Sequence, residues 1–331
     1  MPETKERMFN RNLSYFESYS IMKKLASADA SDQDRIAFLK MLHHKGITST
    51  EMAGFSAAIR SFASISPVGD VSDIVGTGGD LLNTINVSTA AAITASSMGI
   101  KIAKHGNRAV TGKIGSADFL SQIGYRFDFD HEGLLERIKA HNFAFLLAPQ
   151  FNGTFRMFSE ARKQLPYKTV FNYMGPVTNP ADPHTIIIGS SDPAMLPVYA
   201  GLLSETGKTG AVVTAENGMD EVSPFCRSRI LFVDEKISEL IVEPEEITGI
   251  HVEKEDIASS NPQINFNMTV SGIKGENEKV AGFIALNTAP LIIAMNTADK
   301  FAEAYEMALD AILSGKAGKQ LERIGGALNG Q

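Results

Sequence analysis

From about residue 69 onward the chain repeats one pattern: a short apolar run, a glycine, then a stretch whose apolar residues recur at helical spacing. Parallel strands need a crossover long enough to hold a helix, so this alternation predicts an α/β fold around a mainly parallel sheet. The runs place strands at 73–75, 100–103, 144–147, 185–188 and 211–214. Helices are expected at 88–98, with Asn86 or Ser88 as cap and Gly99 as stop, and at 116–123. Between 230 and 280 a two-residue period (Ile230, Phe232; Leu240, Val242) predicts an antiparallel appendage, and helices at 281–295 and 299–313 close the chain.

The first part of the chain reads differently. Between 13 and 62 the apolar residues (Ile21, Leu25; Ile36, Phe38, Leu39, Leu42; Met52, Phe55, Ile59) fall at helical spacing. Three short helices are expected, with caps near 29–32 and 49–51 and Gly46 between them. The turn Ile65-Ser66-Pro67-Val68-Gly69 then divides a small N-terminal helical domain, 1–68, from a larger α/β domain, 69–331.

Composition narrows the partners. A balance of 31 Lys plus Arg against 38 Asp plus Glu gives a formal charge of −7, the wrong sign for coating nucleic acid or an anionic membrane. No apolar run approaches the ~20 residues that span a bilayer, and the N-terminus lacks a secretory h-region. One cysteine, Cys226, excludes an internal disulfide and a zinc cluster and is expected to be a buried thiol. A cytoplasmic protein is the expectation.

The chemistry concentrates where predicted parallel strands end. Gly76-Thr77-Gly78-Gly79-Asp80 follows the first strand, and such glycines let bare N–H groups approach an anion or simply make a tight turn. Asn86, Val87, Ser88 and Thr89 open the next helix, where its positive dipole end adds to either anion binding or capping. Lys104-His105-Gly106-Asn107-Arg108, with Lys101, Lys113, Thr111 and Ser116 nearby, is the densest positive stretch. Alone it reads as a solvated face, but three anion-friendly segments at neighbouring strand ends mark the place where α/β folds bind ligands. Asp220 and Glu221, past the fifth strand, suit a hard divalent cation that keeps water and bridges to phosphates, with solvent exposure as the plain alternative. No nucleophile elbow or zinc-binding His pair occurs, and His43 and His44 are expected on a helix surface.

Taken in order, Asp73–Asp80, Asn86–Thr89, Lys104–Arg108, Gly115–Asp118, Phe171–Pro180 and Asp220–Ser223 resemble the anthranilate phosphoribosyltransferases over most of 14–320. The resemblance implies a helical domain hinged to the α/β domain, helices from about 155–180 returning to the small domain, and a homodimer formed through the helical part. It implies that Gly76, Gly79, Asp80, Thr84, Asn86, Val87, Ser88, Thr89, Lys104, Asn107 and Ser116 hold phosphoribosyl pyrophosphate. Ser88, Asp220 and Glu221 are implied as ligands of two Mg2+ ions, and Gly76, Asn107 and Arg162 as anthranilate contacts. Lys104, Asp220 and Glu221 are the implied catalytic groups, with His105 lining the site or structural. Two positions depart from the family pattern: Asn152-Gly153-Thr154 stands for His-Pro-Ala, and Lys168 for arginine. The same architecture also serves pyrimidine nucleoside phosphorylases, and a non-catalytic relative could bind nucleic acid. The glycine and Lys104–Arg108 motifs favour the transferase over the first, and the −7 charge with Asp220, Glu221 and Arg162 argues against the second.

Overall fold

The computed structural model describes residues 11–78, 82–108 and 115–326. Helices Tyr15–Leu25, Asp32–Lys45 and Ser49–Arg60 come first. Each opens on a capping box, Ser14 with Glu17, Ser31 with Asp34 and Thr48 with Glu51, in which side chain and backbone satisfy each other's exposed donors. The third cap is therefore Thr48, just outside the expected 49–51.

The sheet contains β1 (Ser72–Gly76), β2 (Ile102–Gly106), β3 (Phe143–Leu147), β4 (Thr185–Gly189), β5 (Thr209–Ala215), β6 (Ser228–Val233) and β7 (Ile237–Val242). Their order is β3-β2-β1-β4-β5-β6-β7, parallel through β5 and antiparallel beyond it. The chain moves outward from β1 to β3 and then returns to place β4 on the other side of β1. That reversal opens a crevice at the carboxyl ends of β1 and β4.

Alternation along the strands divides the core between the two faces. Ile74, Ile187 and Val213 join the core formed with helices Val87–Ser97, Glu278–Ala294 and Phe301–Leu313. Ile186, Ile188 and Val212 face the other way, into a core shared by Met22, Phe38, Met52, Phe55, Phe158, Phe171 and Tyr199. The N-terminal helices thus share apolar packing with 158–177 and with helix Leu196–Glu205.

Three expectations are corrected. The antiparallel appendage ends at Val242; Pro244–Thr248, Lys254–Ile257 and Pro262–Ile273 are helical, two of them opening on a proline whose fixed φ suits a first helical turn. A further helix, Lys316–Gly325, follows the expected last one and packs on Val87–Ser97 through Ala317, Leu321 and Ile324. Cys226 is half-buried rather than buried. His43 and His44 are exposed on their helix, and among the described residues no helix is long and apolar enough to cross a membrane.

One ionic contact ties the first helices to the turn after Asn179. The Asp182 carboxylate lies 3.2 Å from Arg60 Nε and 2.8 Å from Lys208 Nζ, while Arg60 also donates to the Val177 carbonyl at 2.8 Å. Asp182 holds φ +51°, which asparagine tolerates, so Asp182→Asn removes the charge with little backbone strain. It leaves two half-buried cations facing each other, and chemical denaturation should register a loss of about 1–2 kcal/mol.

Candidate active site

Two cavities meet above the β1–β4 crevice. The polar one, about 520 Å³, is lined by Gly76, Thr84, Asn86, Val87, Ser88, Lys104, Asn107, Ser116, Asp220 and Glu221 among others. The apolar one, about 380 Å³, is lined by Ile59, Ala148, Pro149, Asn152, Phe155, Arg156 and Thr178 among others. Val75, Gly76, His105, Gly106 and Asn107 border both, so the two spaces share one wall.

The wall is made by strand ends too close together for side chains. A Cβ on Gly106 would sit 2.7 Å from the Phe145 ring, and one on Gly76 would run into the Asp220 carboxylate. Just beyond, Gly78 turns through φ +69° and its N–H donates to Asp220 Oδ2 at 2.6 Å, joining the first loop to the acidic pair. The acids are held from behind by Asn287. Its Oδ1 accepts from Val222 N–H at 2.8 Å, and its Nδ2 donates to the Val222 carbonyl at 2.9 Å. Glu221 accepts from Thr84 Oγ1 at 3.4 Å.

Lys104 and His105 belong to β2 itself, which corrects the expected strand end at 103. Lys104 is only 1 % exposed; Nζ donates to the Ile74 carbonyl, and to Ser88 Oγ at 3.3 Å. Burial pulls its pKa down, opposed by the negative charges of Asp73 and Glu221. The rest of the positive stretch turns elsewhere: Lys101 pairs with Asp70 and Arg108 with Asp118. Lys113 and Thr111 lie outside the described residues.

Asn86 takes the N-cap position of Val87–Ser97 but makes no side-chain cap bond. Its Nδ2 instead donates to Asn265 Oδ1 at 3.5 Å, and Asn265 Nδ2 donates to the Thr84 carbonyl at 2.8 Å. Thr89 is buried beneath the helix start, and its Oγ1 has no hydrogen-bond partner among the described residues; it does not line either cavity. Gly79 and Asp80 lie outside the described residues. Arg162 places its guanidinium 5.8 Å over the Phe171 ring and is absent from both linings, whereas Arg156 lines the apolar cavity. Asn83, which no sequence motif marked, also lines the polar cavity, and Ser259, Ser260, Pro262 and Asn265 complete it; the strand reading of 230–280 leaves these four out, and Asn261-Pro262, a cap followed by a first-turn proline, is the available signal.

Beneath the wall, Asp73 Oδ2 accepts from Asn179 Nδ2 at 2.9 Å and from His105 N–H at 3.3 Å. Burial pushes Asp73 up to about 6, against the pull of Lys104 and these hydrogen bonds, and pushes His105 down to about 4. His105 is therefore neutral at pH 7. The two groups load stability in opposite directions. Asp73, raised above its ordinary 3.8, contributes fully below that value and loses its contribution as pH rises through about 6. His105, depressed below 6.5, contributes fully above that value and loses its contribution as pH falls toward about 4. Asp73→Asn deletes the first slope only, so its stability should rise with pH across this window more steeply than the wild type's. Melting curves with equal pH slopes in the two proteins would contradict these assignments.

Residues 68–318 match the family model described as "Glycosyl transferase family, a/b domain". The anthranilate phosphoribosyltransferase of Thermoplasma acidophilum is 44 % identical over 92 % of this chain and 94 % of its own, and that of Picrophilus torridus 41 % over 95 % and 96 %. This chain belongs to the anthranilate phosphoribosyltransferase family. The Thermus thermophilus member superposes with a TM-score of 0.89 at 31 % identity, covering 98 % of this chain and 99 % of that one. A Saccharomyces cerevisiae family member, in complex with PRPP and Mg, gives 0.81 at 29 % identity over 94 % and 92 %. In this family member the strand ends, the helix start and the acidic pair converge on the polar cavity, next to the apolar space of about 380 Å³.

Proposed function

We infer that the chain transfers the 5-phosphoribosyl group of phosphoribosyl pyrophosphate to the amino group of anthranilate, releasing pyrophosphate, as in tryptophan biosynthesis. The observation that carries this reading is the shared wall: a polar, cation-bearing cavity and an apolar cavity border the same strand-end backbone at Gly76 and Gly106. A phosphorylated donor suits the first, an aromatic acceptor the second, and the reacting carbon and nitrogen meet at their boundary.

The donor is assigned to Gly76, Gly79, Asp80, Thr84, Asn86, Val87, Ser88, Thr89, Lys104, Asn107 and Ser116. Mg2+ fits the donor set of Ser88, Asp220 and Glu221. Among the described residues no cluster of three metal-binding side chains of the His, Cys, Asp or Glu type exists, so two carboxylates can hold this cation only together with water and substrate phosphate, the coordination Mg2+ favours. Two ions are proposed, and when bound they neutralise the departing pyrophosphate. The chain's own contribution is orientation and charge. Cleavage of the C1–O bond leaves oxocarbenium character on the ribose and negative charge on pyrophosphate, and Lys104 supplies a fixed positive charge in a water-poor setting. The aromatic amine is neutral at pH 7 and its nitrogen forms the bond to C1 as the C1–O bond to pyrophosphate breaks; the proton the new ammonium then carries passes to water or to the departing pyrophosphate, so alignment against Gly76 and Asn107, and not a strong base, is what the chain supplies. Arg162 remains an implied acceptor contact.

Helices from 15–60 and about 155–180 form the small domain of this proposal, hinged to the α/β domain. Phe16, 78 % exposed on the first helix, supplies an apolar surface for a homodimer. The chain is proposed to work in the cytoplasm. The chain has no tryptophan, so loss of anthranilate fluorescence on adding phosphoribosyl pyrophosphate and Mg2+ reads the reaction cleanly. EDTA should abolish it; anthranilate left unconsumed with Mg2+ present would overturn the reading.

A further inference from the structure

We propose that Asn179 is a positioning residue for Lys104: its amide holds β1 and β2 apart and so sets where the lysine ammonium stands, an inference that rests on the reading of Lys104 as the group that meets pyrophosphate. β1 pairs with β4, and β2 with β3, at five register positions each, whereas β1 and β2 meet at Ser72 with Ile102 and then part. Continued from there, a parallel ladder would have Ile74 N–H donate to the Ala103 carbonyl and His105 N–H donate to the Ile74 carbonyl. Side chains take these places instead. Asn179 Nδ2 donates to the Ala103 carbonyl at 2.7 Å, His105 N–H donates to Asp73 Oδ2 at 3.3 Å, and the Ile74 carbonyl accepts from Lys104 Nζ.

Asn179 closes this arrangement. Its Nδ2 also donates to Asp73 Oδ2 at 2.9 Å, and its Oδ1 accepts from Ala181 N–H at 2.9 Å, so both amide protons and the amide oxygen are engaged. Asn179 and Asp73 are both buried. Buried polar groups are costly unless hydrogen-bonded, so the pair fixes one spacing of the two strands.

That spacing matters to Lys104 because its ammonium crosses the gap. A closed ladder would give the Ile74 carbonyl to β2 backbone; in the parted sheet the ammonium rests between that carbonyl and Ser88 Oγ, 3.3 Å away at the start of Val87–Ser97. Lys104 and Ser88 line the polar cavity, and Asn179 lines neither that cavity nor the apolar one. It therefore acts through the strands and not on a substrate. Its neighbour Thr178 lines the apolar cavity, so one amide sets the strand gap on one side of the shared wall and the chain on the other.

The test is a double-mutant cycle: Asn179→Ala and Asn179→Ser, each with Lys104 and with Lys104→Met. It is read by calorimetric affinity for inorganic pyrophosphate with Mg2+ and by kcat and KM of anthranilate turnover, below the melting transition of every variant. With Lys104 present, Asn179→Ala should weaken pyrophosphate about tenfold and lower kcat about thirtyfold, while the anthranilate KM stays within about threefold, since misplacing a catalytic group by about 1 Å costs up to about a hundredfold in rate. Asn179→Ser, whose hydroxyl can donate to one of the two acceptors, should recover part of the loss. In the Lys104→Met background the same substitutions should weaken pyrophosphate by less than about twofold, because the group they misplace is gone. Equal losses in both backgrounds, or no loss in either, overturn the proposal, and Asn179→Ser carries the same comparison if Asn179→Ala does not fold. A wild type that binds pyrophosphate through Lys104 but leaves anthranilate unconsumed refutes the transferase reading, and the cycle in pyrophosphate affinity then decides the role of Asn179 by itself.

Discussion

Lys104→Met should lower kcat/KM for phosphoribosyl pyrophosphate by about a thousandfold while leaving the melting temperature unchanged or higher. Both halves follow from where the lysine lies. Its ammonium is 1 % exposed and rests on the Ile74 carbonyl and Ser88, so folding removes a positive charge from water with little protein charge in contact. Methionine fills a similar volume without that cost, losing the bonds to Ile74 and Ser88 and the attraction of Asp73 and Glu221, which burial outweighs at this lysine. A fixed donor aimed at developing negative charge is worth about 10²–10³ in rate, and the buried setting places Lys104 at the upper end. Steady-state kinetics beside a thermal melt measures both quantities; retention of a tenth of the activity would remove Lys104 from the catalytic group.

Gly76→Ala and Gly189→Ala should fail in different ways. At Gly76 the new methyl meets the Asp220 carboxylate, with Cγ 3.1 Å away, and a side chain can swing aside. The fold should survive, but the carboxylate leaves the Gly78 N–H and its place beside Glu221, so use of the donor and Mg2+ should fall about a hundredfold. At Gly189 the methyl meets Asp220 backbone, its carbonyl carbon 2.7 Å away, and backbone cannot step back without shifting β4 against the loop after β5. That variant should lose about 3 kcal/mol or more of stability, in line with overpacking of a tightly packed interior. Equal melting temperatures for the two variants would show that Asp220 moves as a whole.

The sheet was legible because its signal is local: a parallel strand buried on both faces is an apolar run, and glycine marks where it stops. Local reading ended β2 too soon. Lys104 and His105 look like loop residues by polarity, and only the neighbouring strand shows that Ile74 and Asp73 receive them. The same limit hid Gly189, whose need for a bare Cα comes from Asp220, distant in sequence. It also hid 257–265, which reaches the polar cavity by pairing Thr84 with Ala258 and by Ile85 N–H donating to the Ile257 carbonyl at 2.9 Å. On the strip after β3 the resemblance singled out Arg162 and passed over Arg156. Arg162 lies over the Phe171 ring, whereas Arg156 lines the apolar cavity, a placement that depends on packing between distant segments.

Asn86 stands where a helix ordinarily keeps its own cap, yet its amide is spent on Asn265. A missing cap of this kind costs about 1 kcal/mol. A phosphate of the proposed donor arriving at Val87–Ser97 returns part of that energy at the positive end of the helix, so the donor would act as a piece of secondary structure delivered from solution. Part of its affinity is then folding energy held back by the polypeptide, and the same sum reappears as heat resistance whenever the cavity is filled.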